Sequence, residues 1–135
     1  MKKKYYITTP IYYPSAKPHM GHAYSSISAD FIARYKRLEG YDVKFVTGTD
    51  EHGQKIQKSA DKRKLSPNVF CNEISKVFLD LTKTLNLSNT DFIRTTEDRH
   101  HKTVQKLWKI LEEKKFIYLS KYSGWYSVSD EAFYT

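Results

Sequence analysis

The stretch Pro18-His19-Met20-Gly21-His22 constrains this chain more than any other. Before it, Tyr5-Tyr6-Ile7-Thr8-Thr9 is rich in aromatic and β-branched residues and reads as a buried strand. After it, Ile27, Phe31, Tyr35 and Leu38 recur at helical spacing and define one apolar face, so a helix runs from His22 to about Leu38. Pro10, Pro14 and Pro18 keep the connection between them extended. The two histidines therefore stand where a strand has ended and a helix begins. Gly21 removes a side chain at that point and lets a ligand approach the backbone. A helix N-terminus has unpaired N–H groups and partial positive charge, which suits phosphate, and imidazoles at His19 and His22 would add donors about one turn apart.

Gly40 supplies a stop for this helix, and Val43 to Thr47 is a short second strand. Strand, crossover helix and strand make a βαβ unit with a parallel pair and a right-handed crossover. The loops Pro10–Gly21 and Gly48–Gly53 then both lie at the carboxyl ends of their strands, where ligands of open α/β sheets collect. That geometry brings His19, His22 and Asp50 together. Further on, residues 54–64 read as a basic helix with a thin stripe of Ile56 and Ala60. Ser66-Pro67 caps a helix whose apolar face is Phe70, Ile74, Val77, Phe78, Leu81 and Leu85, with Cys71 beside it as a core residue. Residues 86–90 are a polar break, and Phe92-Ile93-Arg94 is a short strand. Thr95 to Asp98 begin another helix with hydroxyl caps and acidic residues, striped by Val104, Leu107, Trp108 and Leu111. Residues 116–126 read as a hairpin around Gly124. The fold class is α/β.

With 135 residues, 39% of them hydrophobic and periodically placed, the chain suits one domain with one core. No apolar run approaches the roughly 20 residues of a membrane span, and the basic start Met1-Lys2-Lys3-Lys4 is followed by a strand rather than a signal peptide. The single Cys71 excludes an internal disulfide and points to a reducing, cytoplasmic setting. The net charge of +8 favours polyanions, although from charge alone a solvated basic surface ranks ahead. The same holds for Lys55, Lys58, Lys62, Arg63 and Lys64, where a solvated helix face stands ahead of an acceptor-stem contact. His19 and His22 have two readings besides phosphate: unremarkable loop and helix-start histidines, or a metal pair. Zinc wants three or four protein ligands, and only His52, Cys71 and the distant His100-His101 are at hand, so metal ranks last. For Asp50 the plain alternative is a turn residue between two glycines.

His19-Met20-Gly21-His22 resembles the HIGH motif of class I aminoacyl-tRNA synthetases. Thr8-Thr9-Pro10-Ile11-Tyr12-Tyr13 before it, Ala23-Tyr24 after it and Thr47-Gly48-Thr49-Asp50-Glu51-His52-Gly53 downstream resemble the methionyl branch, over Tyr5 to Thr135; leucyl and valyl enzymes are its nearest neighbours. The resemblance implies the N-terminal half of a Rossmann-like catalytic domain over residues 1–115 and the start of a connective insertion over residues 116–135. It implies that His19 and His22 contact ATP phosphates and stabilise transition-state charge, and that Gly21 lets adenine pack at the helix start. It implies that Asp50 holds the α-ammonium of methionine and that Ile11 and Tyr13 line the side-chain pocket. Those two residues have the alternative of extending the strand into the core. L-methionine, ATP with Mg2+ and tRNA(Met) are the implied substrates. Ser127 and Asp130 stand where many members carry a Cys-x-x-Cys zinc knuckle, so no zinc is expected. A second ATP motif, Lys-Met-Ser-Lys-Ser, is not among the 135 residues. Met1 reads as a natural start and Thr135 as a cut inside the insertion, and the piece alone is expected to be inactive. Two rival readings are a small nucleotidyltransferase sharing the His-x-Gly-His loop, and a non-catalytic synthetase-like module that binds RNA or a partner.

Overall fold

A computed structural model describes residues 2–134. Three strands, β1 (Lys4–Thr8), β2 (Asp42–Thr49) and β3 (Asp91–Arg94), form a parallel sheet in the order β1-β2-β3. Tyr5 pairs with Val43 and Ile7 with Phe45 across β1 and β2, and Gly48 pairs with Ile93 across β2 and β3. The first two strands are therefore parallel, as the βαβ reading requires. β2 runs past its expected end at Thr47, because Gly48 and Thr49 continue the ladder to β3 and Tyr12 forms a parallel bridge with Thr49.

Helix α1 (Met20–Leu38) is the β1–β2 crossover. It begins two residues before the expected His22, so His19 is its cap. Its apolar stripe turns away from the sheet. Ser26, Ala29, Asp30 and Ala33 face the sheet, with Ala29 and Ala33 on Val43 and Phe45, while Tyr24, Ile27, Phe31, Tyr35 and Leu38 face outward. Small residues let the helix approach the strands closely, and periodicity alone does not say which face turns inward. Asp30 pins the helix to the segment before β3: its carboxylate accepts from Arg34 Nε and Ser88 N, each at 2.6 Å, and from the Ser88 hydroxyl. Burial raises the Asp30 pKa, but these hydrogen bonds outweigh it and hold the carboxyl below its usual range.

A second core cluster unites Tyr12 with Ile56 and Ala60 of α2 (Gln54–Lys62) and Phe70, Cys71, Ile74 and Phe78 of α3 (Pro67–Thr84). Cys71 is buried as expected, and burial first, then Glu51, pushes its thiol up to about 11. α4 (Asp98–Glu113) corrects the sequence reading twice. Its stripe of Val104, Leu107 and Trp108 is exposed, and the helix buries no residue. The hydroxyls of Thr95 and Thr96 do not cap it, because they are committed to Glu51, and Glu97 stands at the N-cap. The hairpin is also displaced: β4 (Trp125–Ser127) pairs antiparallel with β5 (Ala132–Tyr134), so Gly124 precedes the first strand instead of forming the turn. The sheet face carrying Lys4, Tyr6, Thr8 and Lys44 is open, unusual for a parallel sheet. No helix among the described residues is long and apolar enough to cross a membrane.

Candidate active site at the carboxyl ends of β1 and β2

The histidine pair forms a capping box built from imidazoles. His19 Nδ1 accepts from Gly21 N at 3.1 Å, and His22 Nδ1 accepts from the backbone N–H of His19 at 3.0 Å. Each ring thus spends Nδ1 as an acceptor, which assigns the proton of the neutral ring to Nε2. The two rings lie 3.9 Å apart between centroids. The pair offers two Nε2–H donors beside the free N–H groups of a helix start. Burial, and secondarily the neighbouring His19, hold the His22 pKa below 6.5 and favour this neutral form. A methyl group on Gly21 would stand 2.9 Å from His19 Cε1 and 3.1 Å from Nδ1, so glycine is what allows the His19 ring to fold over the helix start.

Tyr12 joins the histidines to Asp50, a role the sequence reading did not assign. Its ring meets His22 edge-on at 4.8 Å and stacks on Phe78 at 5.8 Å, and its hydroxyl reaches Ser25 Oγ at 2.8 Å, Ser26 Oγ at 2.9 Å and His22 O at 3.3 Å. Its backbone binds the second loop: Tyr12 N donates to Gly48 O at 3.1 Å, and Asp50 N donates to Tyr12 O at 2.8 Å. His22 and Asp50 are therefore attached to opposite ends of one buried tyrosine, at the same edge of the sheet. Period-two alternation in Ile11-Tyr12-Tyr13 is the signal that could have found it. With Tyr12 buried, Ile11 and Tyr13 turn out of the core, at 46% and 36% exposure, which removes the core alternative for both.

Tyr13 is tied to the distant hairpin. Its hydroxyl donates to Glu131 Oε2 at 3.2 Å, and Lys55 Nζ lies 3.9 Å from the same oxygen. Lys55 is thus more than a solvated lysine, whereas Arg63 pairs with Glu73 at 2.6 Å on the surface. Burial, then Asp50 and Glu131, raise the Tyr13 phenol pKa above its ordinary value. Ser127 and Asp130 face each other within the hairpin, the Ser127 hydroxyl donating to Asp130 Oδ2 at 2.6 Å while Tyr134 donates to the same oxygen at 3.1 Å. Among the described residues no group of three or more His, Cys, Asp or Glu side chains is placed to hold a metal ion.

Glu51, next to Asp50, is the most heavily bonded acid among the described residues. Its carboxylate has no exposure and accepts from Arg94 Nε at 2.6 Å, Arg94 Nη2 at 2.9 Å, Thr49 Oγ1 at 2.8 Å, and the hydroxyls of Ser75 and Thr96. Burial pushes its pKa up, but these donors, Arg94 foremost, bring it below the ordinary carboxylate range. His52 Nε2 lies 3.3 Å from Thr95 O.

A family model described as tRNA synthetases class I (M) matches residues 5–135. Methionine–tRNA ligase of Listeria monocytogenes is 58% identical over 134 residues, covering 99% of this chain and 20% of that protein. Methionine–tRNA ligase 1 of Bacillus cereus is 54% identical over 133 residues, covering 98% and 20% respectively. The solved structure of Mycobacterium tuberculosis methionyl-tRNA synthetase in complex with methionyl-adenylate superimposes with a TM-score of 0.92 at 48% identity, over 98% of this chain and 26% of that one. The chain thus spans about a fifth of the length of these curated relatives.

Proposed function

This chain belongs to the class I tRNA synthetases (M), and on that premise we propose that it forms the N-terminal part of the catalytic unit of a cytoplasmic methionine–tRNA ligase. Residues 1–115 are then the first half of the nucleotide-binding domain, and 116–135 open the connective insertion. The reaction is attack of the methionine carboxylate on the α-phosphorus of ATP, accompanied by Mg2+. A carboxyl oxygen–phosphorus bond forms, pyrophosphate leaves, and the methionyl group of the adenylate then passes to the 3′ end of tRNA(Met).

The observation that carries this reading is the histidine capping box joined through Tyr12 to Asp50. His19 and His22 present Nε2–H groups to the triphosphate and stabilise the charge that builds on it during displacement. Gly21 leaves room for the adenine end of the nucleotide. Asp50 supplies the carboxylate for the α-ammonium, and Ile11 and Tyr13, turned outward beside it, line the space for the thioether. Catalysis is positioning and charge stabilisation, with no covalent enzyme intermediate. Ser127 and Asp130 offer no thiolate, so the hairpin is held by hydrogen bonds in place of zinc.

Methionine-dependent ATP–pyrophosphate exchange tests the reading. The full-length ligase carrying this segment is expected to catalyse exchange, and H19A, H22A and D50A to abolish it. The 135-residue chain alone is expected to be inactive, and turnover by it would show that the site is complete without further polypeptide. Exchange dependent on a different carboxylic acid would favour the small nucleotidyltransferase reading instead.

A further inference from the structure

The most heavily bonded acid near this site is one the proposed reaction does not use. Glu51 is sequestered completely, yet a buried ion pair is seldom a better stabiliser than well-packed apolar residues, and its best-attested use is to fix register. What it fixes is visible in the bonds around it. Asp50 N is tied to Tyr12 O, on the β1 side of the site. Glu51 N is tied at 2.8 Å to Thr95 Oγ1, on the β3 side. The peptide N–H groups on either side of the Asp50 Cα are thus both anchored, one to each flank. The Glu51 side chain then reaches Ser75 of α3, Arg94 at the end of β3, and Thr96 beyond it. Arg94 is itself steadied by Asn72 Oδ1 at 2.7 Å.

We infer that Glu51 is a positioning residue whose buried pairing with Arg94 sets the place of Asp50, and with it the recognition of an amino acid's α-ammonium group. The inference rests on the methionine reading of the site. Removing the charge of Glu51 leaves Arg94 short of a partner and lets the end of β2 shift against α3. The reach of Asp50 changes most, while the histidine box keeps its own hydrogen bonds at the start of α1. A packing role alone would affect both substrates together.

The test uses the full-length ligase. In the E51Q variant the KM for methionine is expected to rise at least about tenfold, with the KM for ATP within about twofold of the parent. Calorimetric binding of 4-(methylthio)butanoate, which keeps the thioether chain and carboxylate but has no amine, is expected to be unchanged, so the preference for methionine over it falls. D50N should show the same loss, and the double variant should be no worse than D50N, because both act on one contact. Equal losses for methionine and its amine-free analogue, a matching rise in the ATP KM, or additive effects in the double variant would overturn the inference. Should E51Q fail to fold, T96V decides: at least a twofold rise in the methionine KM supports it, and no change overturns it. If D50N is impaired and E51Q is not, the inference fails while the reading stands. If the parent enzyme shows no preference for the amine-bearing ligand, both fail.

Discussion

Replacing Gly48 by alanine puts a methyl group into the seam between β2 and β3, two residues before Asp50. The new carbon would press into the Ile93 carbonyl oxygen and stand 2.8 Å from Ile93 C and 3.0 Å from Ile93 N. All three are backbone atoms of the neighbouring strand, so no side chain can swing aside. An ordinary carbon–oxygen approach is roughly 3.3–3.6 Å, so the strands must part by about 1 Å or more. That separation breaks ladder bonds around the Gly48–Ile93 pair. Two such bonds at about 1 kcal/mol each, with about 1–3 kcal/mol of overpacking strain, give a loss of about 3–5 kcal/mol. For a domain of this size the melting temperature should fall by about 10 °C or more. The control is Gly40→Ala: Gly40 has φ +87° and nothing within 4 Å of an added methyl, so only backbone strain of about 1–2 kcal/mol is at stake. Thermal unfolding followed by circular dichroism compares the two. A Gly48→Ala protein that melts within about 2 °C of the parent, or no lower than Gly40→Ala, would refute the close-approach argument.

Other outcomes follow from the site. Gly21→Ala should displace the His19 ring, cost about 0.5–2 kcal/mol of capping and slow pyrophosphate exchange far more than that loss of stability explains. Tyr12→Phe removes the hydroxyl shared by Ser25 and Ser26 and should lower the urea midpoint by an amount worth about 1–2 kcal/mol, with His22 packing retained. Glu131→Gln should bring the Tyr13 phenol titration, followed by ultraviolet absorbance, down toward its ordinary value, since Glu131 is among the groups that raise it. Stability should also fall in acid. Glu51 and Asp30 are held below their ordinary values of 4.5 and 3.8, so their contributions are complete above those values and fade as the pH drops through the lower folded ones. Urea midpoints against pH should show this slope, and E51Q should flatten its upper part.

The strands and helices that carry the site were legible because each is a local pattern. Aromatic and β-branched runs marked β1 and β2, and glycines and prolines marked the loops between them. What periodicity does not encode is which side of a helix the sheet will choose. The spacing of Ile27, Phe31, Tyr35 and Leu38 marks an apolar face on α1 without saying where it points, and Ala29 and Ala33 take the side toward the sheet because a crossover helix must come close to its strands. Thr95 and Thr96 looked like helix caps, yet an acid some 45 positions earlier claims their hydroxyls. Such long-range claims leave no trace in local composition, which is also why Tyr12, Glu51 and Glu131 were not singled out. The hairpin turn lies at Val128 to Glu131, around Ser129 and Asp130, whereas glycine chemistry alone favours Gly124.

The outer side of α1 has a consequence for handling. Met20 and Leu38, at opposite ends of the helix, are 84% and 87% exposed, and Tyr24 and Phe31 between them are nearly as bare. Water must order itself along five turns of greasy surface, an arrangement that rewards any hydrophobic body that comes near. At high concentration this face favours association between apolar surfaces.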